Sequence, residues 1–207
     1  LLVLTVADIR AVGPTVWNGW KGQLLRELYY RTDEALCGSV SNEQSDERVA
    51  GAQRALRPYL SSWSDEEVDA HLARGHSSYW LSTDAGTLAR HAELMRCTDI
   101  EGKRLAVDIK SDTFHAATEV TIYTQDYHGL FALMAGAIAV SNFNIVEAKI
   151  FTTNDGMALD TFWIQDGARG PLDDTRVIEK LELTIERTLT AVINPSQELA
   201  KQSKIPN

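Results

Sequence analysis

The sequence predicts an α+β protein with a helical first half and a sheet-containing second half, and three observations carry that prediction. Apolar residues recur at helical spacing up to about residue 95, the period moves from 3.6 towards 2 near residue 100, and Asp155-Gly156 stands between two alternating runs. With 207 residues, 44% hydrophobic and 24% charged, the chain can bury a sizeable core.

Taken in order, LLVLTVADIRAVGP (residues 1–14) is a greasy helical run interrupted by Asp8 and closed by Gly13-Pro14. Without an initiator Met, it reads as a piece of a longer protein. A long amphipathic helix is predicted from Val16 to Leu36, with Trp17, Trp20, Leu24, Leu25, Leu28 and Leu36 near one face and Gly38 ending it. At this spacing Trp17, Trp20 and Lys21 read as packing residues, and Asn18 as a hydrogen-bonding partner of a neighbouring loop. Residues 39–46 (SVSNEQSD) read as polar linker and N-cap material, and a helix from about Glu47 to Leu56 is stopped by Pro58. Ser64-Asp65-Glu66-Glu67 is a capping box opening a helix through Leu72 that ends near Gly75. A further helix runs from about Ala85 to Met95.

Beyond residue 100, RLAVDI (104–109) and EVTIYT (119–124) alternate as strands. Helical spacing returns from Gly129, with Leu130, Leu133, Met134, Ala137, Ile138 and Ser141 in one stripe. NIVEAKIFTT and MALDTFWIQD then flank Asn154-Asp155-Gly156 as a hairpin. Asp173 or Asp174 caps a last helix with an apolar face of Ile178, Leu181, Ile185, Leu189 and Val192, and ELAKQSKIPN reads as a frayed tail. The order β, α, β-hairpin, α over residues 118–193 is a ferredoxin-like βαββαβ unit without its last strand. That strand lies beyond the end of the chain, or RLAVDI fills its place in the sheet.

A net charge of −9 repels phosphate backbones and anionic membranes, so neither nucleic acid nor membrane is an expected partner. Cys37 and Cys97 have no ligand or disulfide spacing and read as reduced thiols in a cytoplasmic protein. The first residues fail as a signal peptide, and no apolar run reaches transmembrane length.

No complete catalytic motif is present: GxxxxGK[ST], GxSxG, HExxH and a His-Asp dipeptide are all absent, and the histidines 71, 76, 91, 115 and 128 stand apart. The informative stretch begins where a strand ends at Asp126 and the chain turns at Gly129 into a helix, leaving outward N–H groups that can hold a carboxylate. The same residues also read as a plain helix cap, Asp126, and a turn, Gly129.

Asp126-x-x-Gly129-Leu130, Asn144-Ile145-Val146, Ala148-x-Ile150, the Asp155-Gly156 turn and Asp160-x-Phe162 together resemble the ACT domain, a small amino-acid-sensing module. Where that family usually has Arg-Pro after the Asp, this chain has Tyr127-His128, a less rigid loop. LTVADIRAVGPTVWNGWKGQLLRELY resembles the end of the HD phosphohydrolase domain of the bifunctional uridylyltransferase/uridylyl-removing enzymes, and FTTNDGMALDTFWIQD their first ACT domain. The resemblance is concentrated at these two ends.

The resemblance implies a layout of HD-domain helices over 1–38, a helical connector over 39–100, a strand and linker over 101–117, an ACT domain over 118–193 and a tail over 194–207. It implies Mg- or Mn-dependent transfer of UMP to the PII regulatory protein and its hydrolytic removal by the intact enzyme, governed by glutamine. In such an HD site Asp8 is the last metal ligand; read without the family, it pairs with Arg10 or a helix end. Glutamine would meet Asp126, Tyr127, His128, Gly129 and Leu130, with Asn144 and Ile145 on the next strand. Its carboxylate would take backbone N–H groups around Tyr127 to Leu130, while Asp126 and Asn144 receive its amine and amide. Dimerisation through the ACT domain is a further implication. The isolated stretch, lacking the HD histidines, is expected to be inactive and to bind no metal tightly. Two rival readings are an ACT-containing guanosine tetraphosphate synthetase/hydrolase and a stand-alone amino-acid-binding dimerisation module.

Overall fold

A computed structural model describes residues 40–112, 116–166, 172 and 174–202, together with Leu25, Leu28, Tyr29 and Thr32. It divides into two compact units, one of the described residues up to Leu72 with His76–Ala89, the other of Ala73–Gly75 with the described residues from Arg90 onward. No helix among the described residues is long and apolar enough to cross a membrane.

In the first unit, α1 spans Val40–Leu56, so the segment expected as polar linker is helical from residue 40. Glu43, Gln44 and Glu47 are good helix formers, which lets the helix extend back through the Ser and Asn positions. It gives way to a 3-10 turn, Arg57–Leu60, with Pro58 in the first turn, where a missing N–H costs least. The capping box is present as expected: the Glu67 N–H donates to Ser64 Oγ at 3.2 Å and the Ser64 N–H to a Glu67 carboxylate oxygen at 2.9 Å, opening α2, Asp65–Leu72. A short α3, Ser77–Ser82, has no counterpart in the sequence reading; six residues are too few for a periodic signal. Leu56, Leu60, Val68, Tyr79, Trp80 and Leu88 are buried here, and His71 lies edge-on to Trp63 and Trp80 with centroids 5.7 and 6.0 Å away. The helix α4, Ala85–Ile100, runs five residues past its expected end and contributes residues 90–100 to the second unit.

The second unit is built on a four-stranded sheet ordered β1-β2-β4-β3, with β1 Leu105–Asp112, β2 Ala117–Gln125, β3 Asn144–Thr152 and β4 Met157–Gln165, every neighbour antiparallel. RLAVDI therefore fills the fourth-strand position: β1 lies beside β2 at the edge where the last strand of a ferredoxin-like unit belongs. The helices α5, Leu130–Val140, and α6, Thr175–Leu189, cover one face. Val120, Ile122, Phe162 and Ile164 meet Leu130, Met134, Ala137, Ile138, Leu181 and Ile185 there in a continuous core.

The opposite face is also closed, because Arg90 on α4 pairs with Glu119 and with Asp108 (2.9 Å), and Asp99 accepts from the Tyr123 hydroxyl at 3.1 Å. Hence β2 and β4 are buried on both faces, while β3, at the free edge, alternates between half-buried and exposed.

Two expectations for the C-terminal region are corrected. Asp174 caps α6 by accepting from the Arg176 N–H at 3.0 Å, but α6 ends at Leu189, and Val192 is 67% exposed rather than part of its apolar face. Thr190 closes α6 and Ala191 turns to a φ of 60°, which breaks the helical stripe. Residues 195–202, expected as frayed tail, form α7, Pro195–Gln202, packed against α5 through Pro195 and Gly136. The tail reading missed it because Pro at the first helical turn and a glycine opposite were needed to make the contact.

Candidate functional site

The corner between β2 and α5 is held from two sides. The Asp126 N–H donates to the Gly156 carbonyl at 3.0 Å, tying the corner to the β3–β4 turn. One carboxylate oxygen of Asp126 accepts from the Thr152 hydroxyl at 3.1 Å. Gly129 sits at φ 86°, ψ 0°, the left-handed region that glycine occupies without strain, and a Cβ built there would meet nothing within 4 Å. The chain thus enters α5 with its backbone open to approach.

Gly129 caps α5 without a side-chain bond, so Asp126 is not its cap. The Leu130 N–H reaches the Tyr127 carbonyl at 3.1 Å and the Leu133 N–H the Gly129 carbonyl at 3.2 Å. Those of Phe131 and Ala132 find no acceptor among the described residues. Two donors at a helix start, aided by the helix dipole, suit one carboxylate.

Asp160 was quoted in the sequence pattern but not assigned to the site. Strand alternation places it with Ala158, Phe162 and Ile164 on the helix-covered face, opposite Ile122 on β2 and Ile150 on β3. It is 2% exposed. Burial pushes its carboxyl up to about 7; a hydrogen bond from the Phe151 N–H acts against this, and the nearby charge of Asp126 adds to it. Its Oδ1 has no hydrogen-bond partner among the described residues. A buried polar atom left so is costly and calls for a reason. The signal available in the sequence was an acid at an inward position of an otherwise apolar run, ALDTFWI.

Of the residues expected to form the effector site, Asp126, Tyr127, His128, Gly129 and Leu130 come together at this corner. Asp126, Tyr127, His128 and Gly129 are exposed, while Leu130 faces the core at 3% exposure. Asn144 and Ile145 do not join them within one chain. Asn144 pairs with Gln165, at the far end of the sheet from the Gln125–Met157 pair beside Asp126, roughly 26 Å along the strands. Asp8 lies outside the described residues. Among those residues no group of three or more His, Cys, Asp or Glu side chains is arranged to hold a metal ion.

A second cluster was invisible to sequence reading. Arg74 pairs with Asp99 at 2.7 Å and Asp155 at 2.8 Å and donates to the Tyr123 hydroxyl, while Asn154 donates its backbone and side-chain N–H groups to the Arg74 and Ala73 carbonyls. Burial lifts the Tyr123 hydroxyl to about 12, Arg74 acting the other way and Asp99 adding to the rise. Burial would raise Asp155 too, but the Thr153 hydroxyl and Arg74 outweigh it and hold it below the ordinary carboxylate range. The turn that supports Asp126 is therefore anchored to the Ala73–Gly75 segment.

No protein-family model matches the chain. Curated relatives do. The bifunctional uridylyltransferase/uridylyl-removing enzyme of Azospirillum brasilense is 46% identical over 203 residues, which is 98% of this chain. Enzymes of the same name from Rhodopseudomonas palustris and Nitrobacter hamburgensis are 39% and 38% identical over the same share. The chain spans 22% of the length of each. The resemblance drawn from the two ends of the sequence thus holds across nearly all of it, through the helical middle as well.

Proposed function

We propose that this chain is the amino-acid-sensing, regulatory part of a bifunctional uridylyltransferase/uridylyl-removing enzyme, with glutamine as effector and the PII protein as substrate of the whole. The observation that carries the sensing role is the β2–α5 corner: Gly129 in the left-handed region, two free N–H groups at the start of α5, and Asp126 beside them. A zwitterion needs such a pairing of donors and acid. In this reading residues 118–193 are the ACT domain, residues 39–100 a connector and residues 1–38 the end of an HD domain, in a cytoplasmic enzyme. Asp8 would there serve as one ligand of a Mg or Mn ion, which lowers the pKa of bound water for phosphodiester hydrolysis.

A second copy of the chain extends the same proposal. β3 is an edge strand with Ile145, Val146 and Ile150 exposed. Two β3 edges paired antiparallel about Ala148 would set Asn144 of one copy opposite Thr152 of the other, beside Asp126. Asn144 and Asp126 then share a site that one chain alone does not make, and the dimer joins the effector's amide to its amine.

Thermal unfolding with and without glutamine tests the reading. Ligand at a hundredfold its dissociation constant adds about 2.7 kcal/mol, a shift of several degrees at this size. No shift with glutamine but a shift with another amino acid would refute glutamine as the effector. No shift with any amino acid would refute the sensor.

A further inference from the structure

We propose that Asp160 is the residue that receives the ammonium group of a zwitterionic α-amino acid whose carboxylate rests on the Phe131 and Ala132 N–H groups. The inference rests on the sensor reading above and changes one assignment in it: the ammonium goes to Asp160, and Asp126, which the resemblance implies as its partner, stays as the second acid beside it.

Three features converge on this chemistry. Asp160 is buried on the sheet face beneath α5, yet its Oδ1 has no partner among the described residues. Its neighbours on that face are Ile122, Ile150, Ala158 and Phe162, and Phe162 stacks on the half-exposed Phe131 ring of the first turn of α5 at 5.8 Å. Thr152, two residues along β3 on the same face, donates to the Asp126 carboxylate, and the charge of Asp126 acts on Asp160. A buried acid with one oxygen unpartnered among the described residues, the charge of Asp126 acting on it, and the Phe131 and Ala132 N–H donors at the start of the helix whose Phe131 ring stacks on Phe162 supply both signs of charge on this face.

The alternatives by charge fit less well. A divalent cation needs more oxygen or nitrogen ligands than these two acids supply, and no three such residues cluster among the described ones. A lone anion would meet Asp126 and Asp160. A ligand carrying both charges uses the donors and the acids together.

Among the described residues Asp126 is the charged group acting on Asp160; α5 contributes only apolar side chains there, and Lys149 on β3 turns to the opposite face, over Trp163. An acid held neutral by burial must lose its proton to pair with an ammonium, so ligand binding and proton release are linked.

Isothermal titration of the wild-type chain with glutamine, in buffers of different ionisation enthalpy, reads this directly. On the order of one proton should leave per glutamine bound at pH 6, falling towards none above pH 8. Asp160→Asn should abolish the release and weaken binding at least tenfold, and the des-amino analogue of glutamine should not bind. Glutamine binding without proton release at pH 6, or with the release and affinity kept in Asp160→Asn, would overturn the role of Asp160 and leave the sensor standing. Absence of binding by any amino acid would overturn both. Should Asp160→Asn not fold, proton release by the wild type decides alone.

Discussion

Asp160 shows what a single buried acid does to the energetics of this fold. Its folded pKa of about 7 lies above an unfolded value of about 3.9. Between those values the folded chain holds the extra proton, so the stabilisation is complete below about pH 4 and is lost as pH rises through about 7. The loss has an upper limit of roughly 4 kcal/mol. Urea unfolding from pH 4 to 8 should therefore show Asp160→Asn gaining on wild type as pH rises, with the difference levelling above pH 8. A difference that does not change with pH would mean that Asp160 is ionised throughout. The position of this acid on an inward face could be read from ALDTFWI, but the unsatisfied Oδ1 could not: satisfaction of a buried oxygen depends on atoms of neighbouring elements that no spacing reveals.

At the scale of elements, two contacts far apart in sequence hold the second unit together. Arg74 reaches both Asp99 on α4 and Asp155 in the β3–β4 turn. Its side chain is 18% exposed, so these bonds are partly shielded. Arg74→Ala should cost about 1 to 3 kcal/mol in urea unfolding. Arg74→Lys should recover only part of that, since one ammonium cannot serve both acids as the guanidinium fork does.

Gly136 is the second case. A Cβ there would stand 2.6 Å from that of Pro195. Alanine raises helix propensity by up to about 1 kcal/mol, yet the clash with a rigid ring decides the sign. Gly136→Ala should give no gain in Tm and faster amide exchange at residues 195–202; unchanged exchange would show that α7 adjusts without cost. Local signals had located most of these elements: the capping box, the Asp-Gly turn and the alternation of β2 all appear where expected. They failed for α3, too short for a period, and for α7, whose helix depends on its partner.

On the scale of the molecule, the chain matches its relatives over 98% of itself and 22% of them, so catalysis belongs to the proposal for the whole enzyme. The sequence given has no His-Asp pair, and Asp8 alone would be one ligand of several. Incubated with uridylylated PII and Mg or Mn, this chain should release no UMP, and it should transfer none from UTP. Release of UMP would show a hydrolytic site unlike the one the resemblance implies.

The sequence by itself determined the α+β class, most helix and strand positions, the corner at Asp126 and Gly129, and the resemblance to the uridylyltransferase/uridylyl-removing enzymes, because hydrophobic period, turn chemistry and motif spacing are local. Only the tertiary structure decided that RLAVDI closes the sheet, that Asn144 stands at the far end from Asp126, and that Asp160 is buried on the helix-covered face with its Oδ1 unpartnered among the described residues. Strand order, register and burial are set by long-range pairing, and the same local pattern is compatible with several of them.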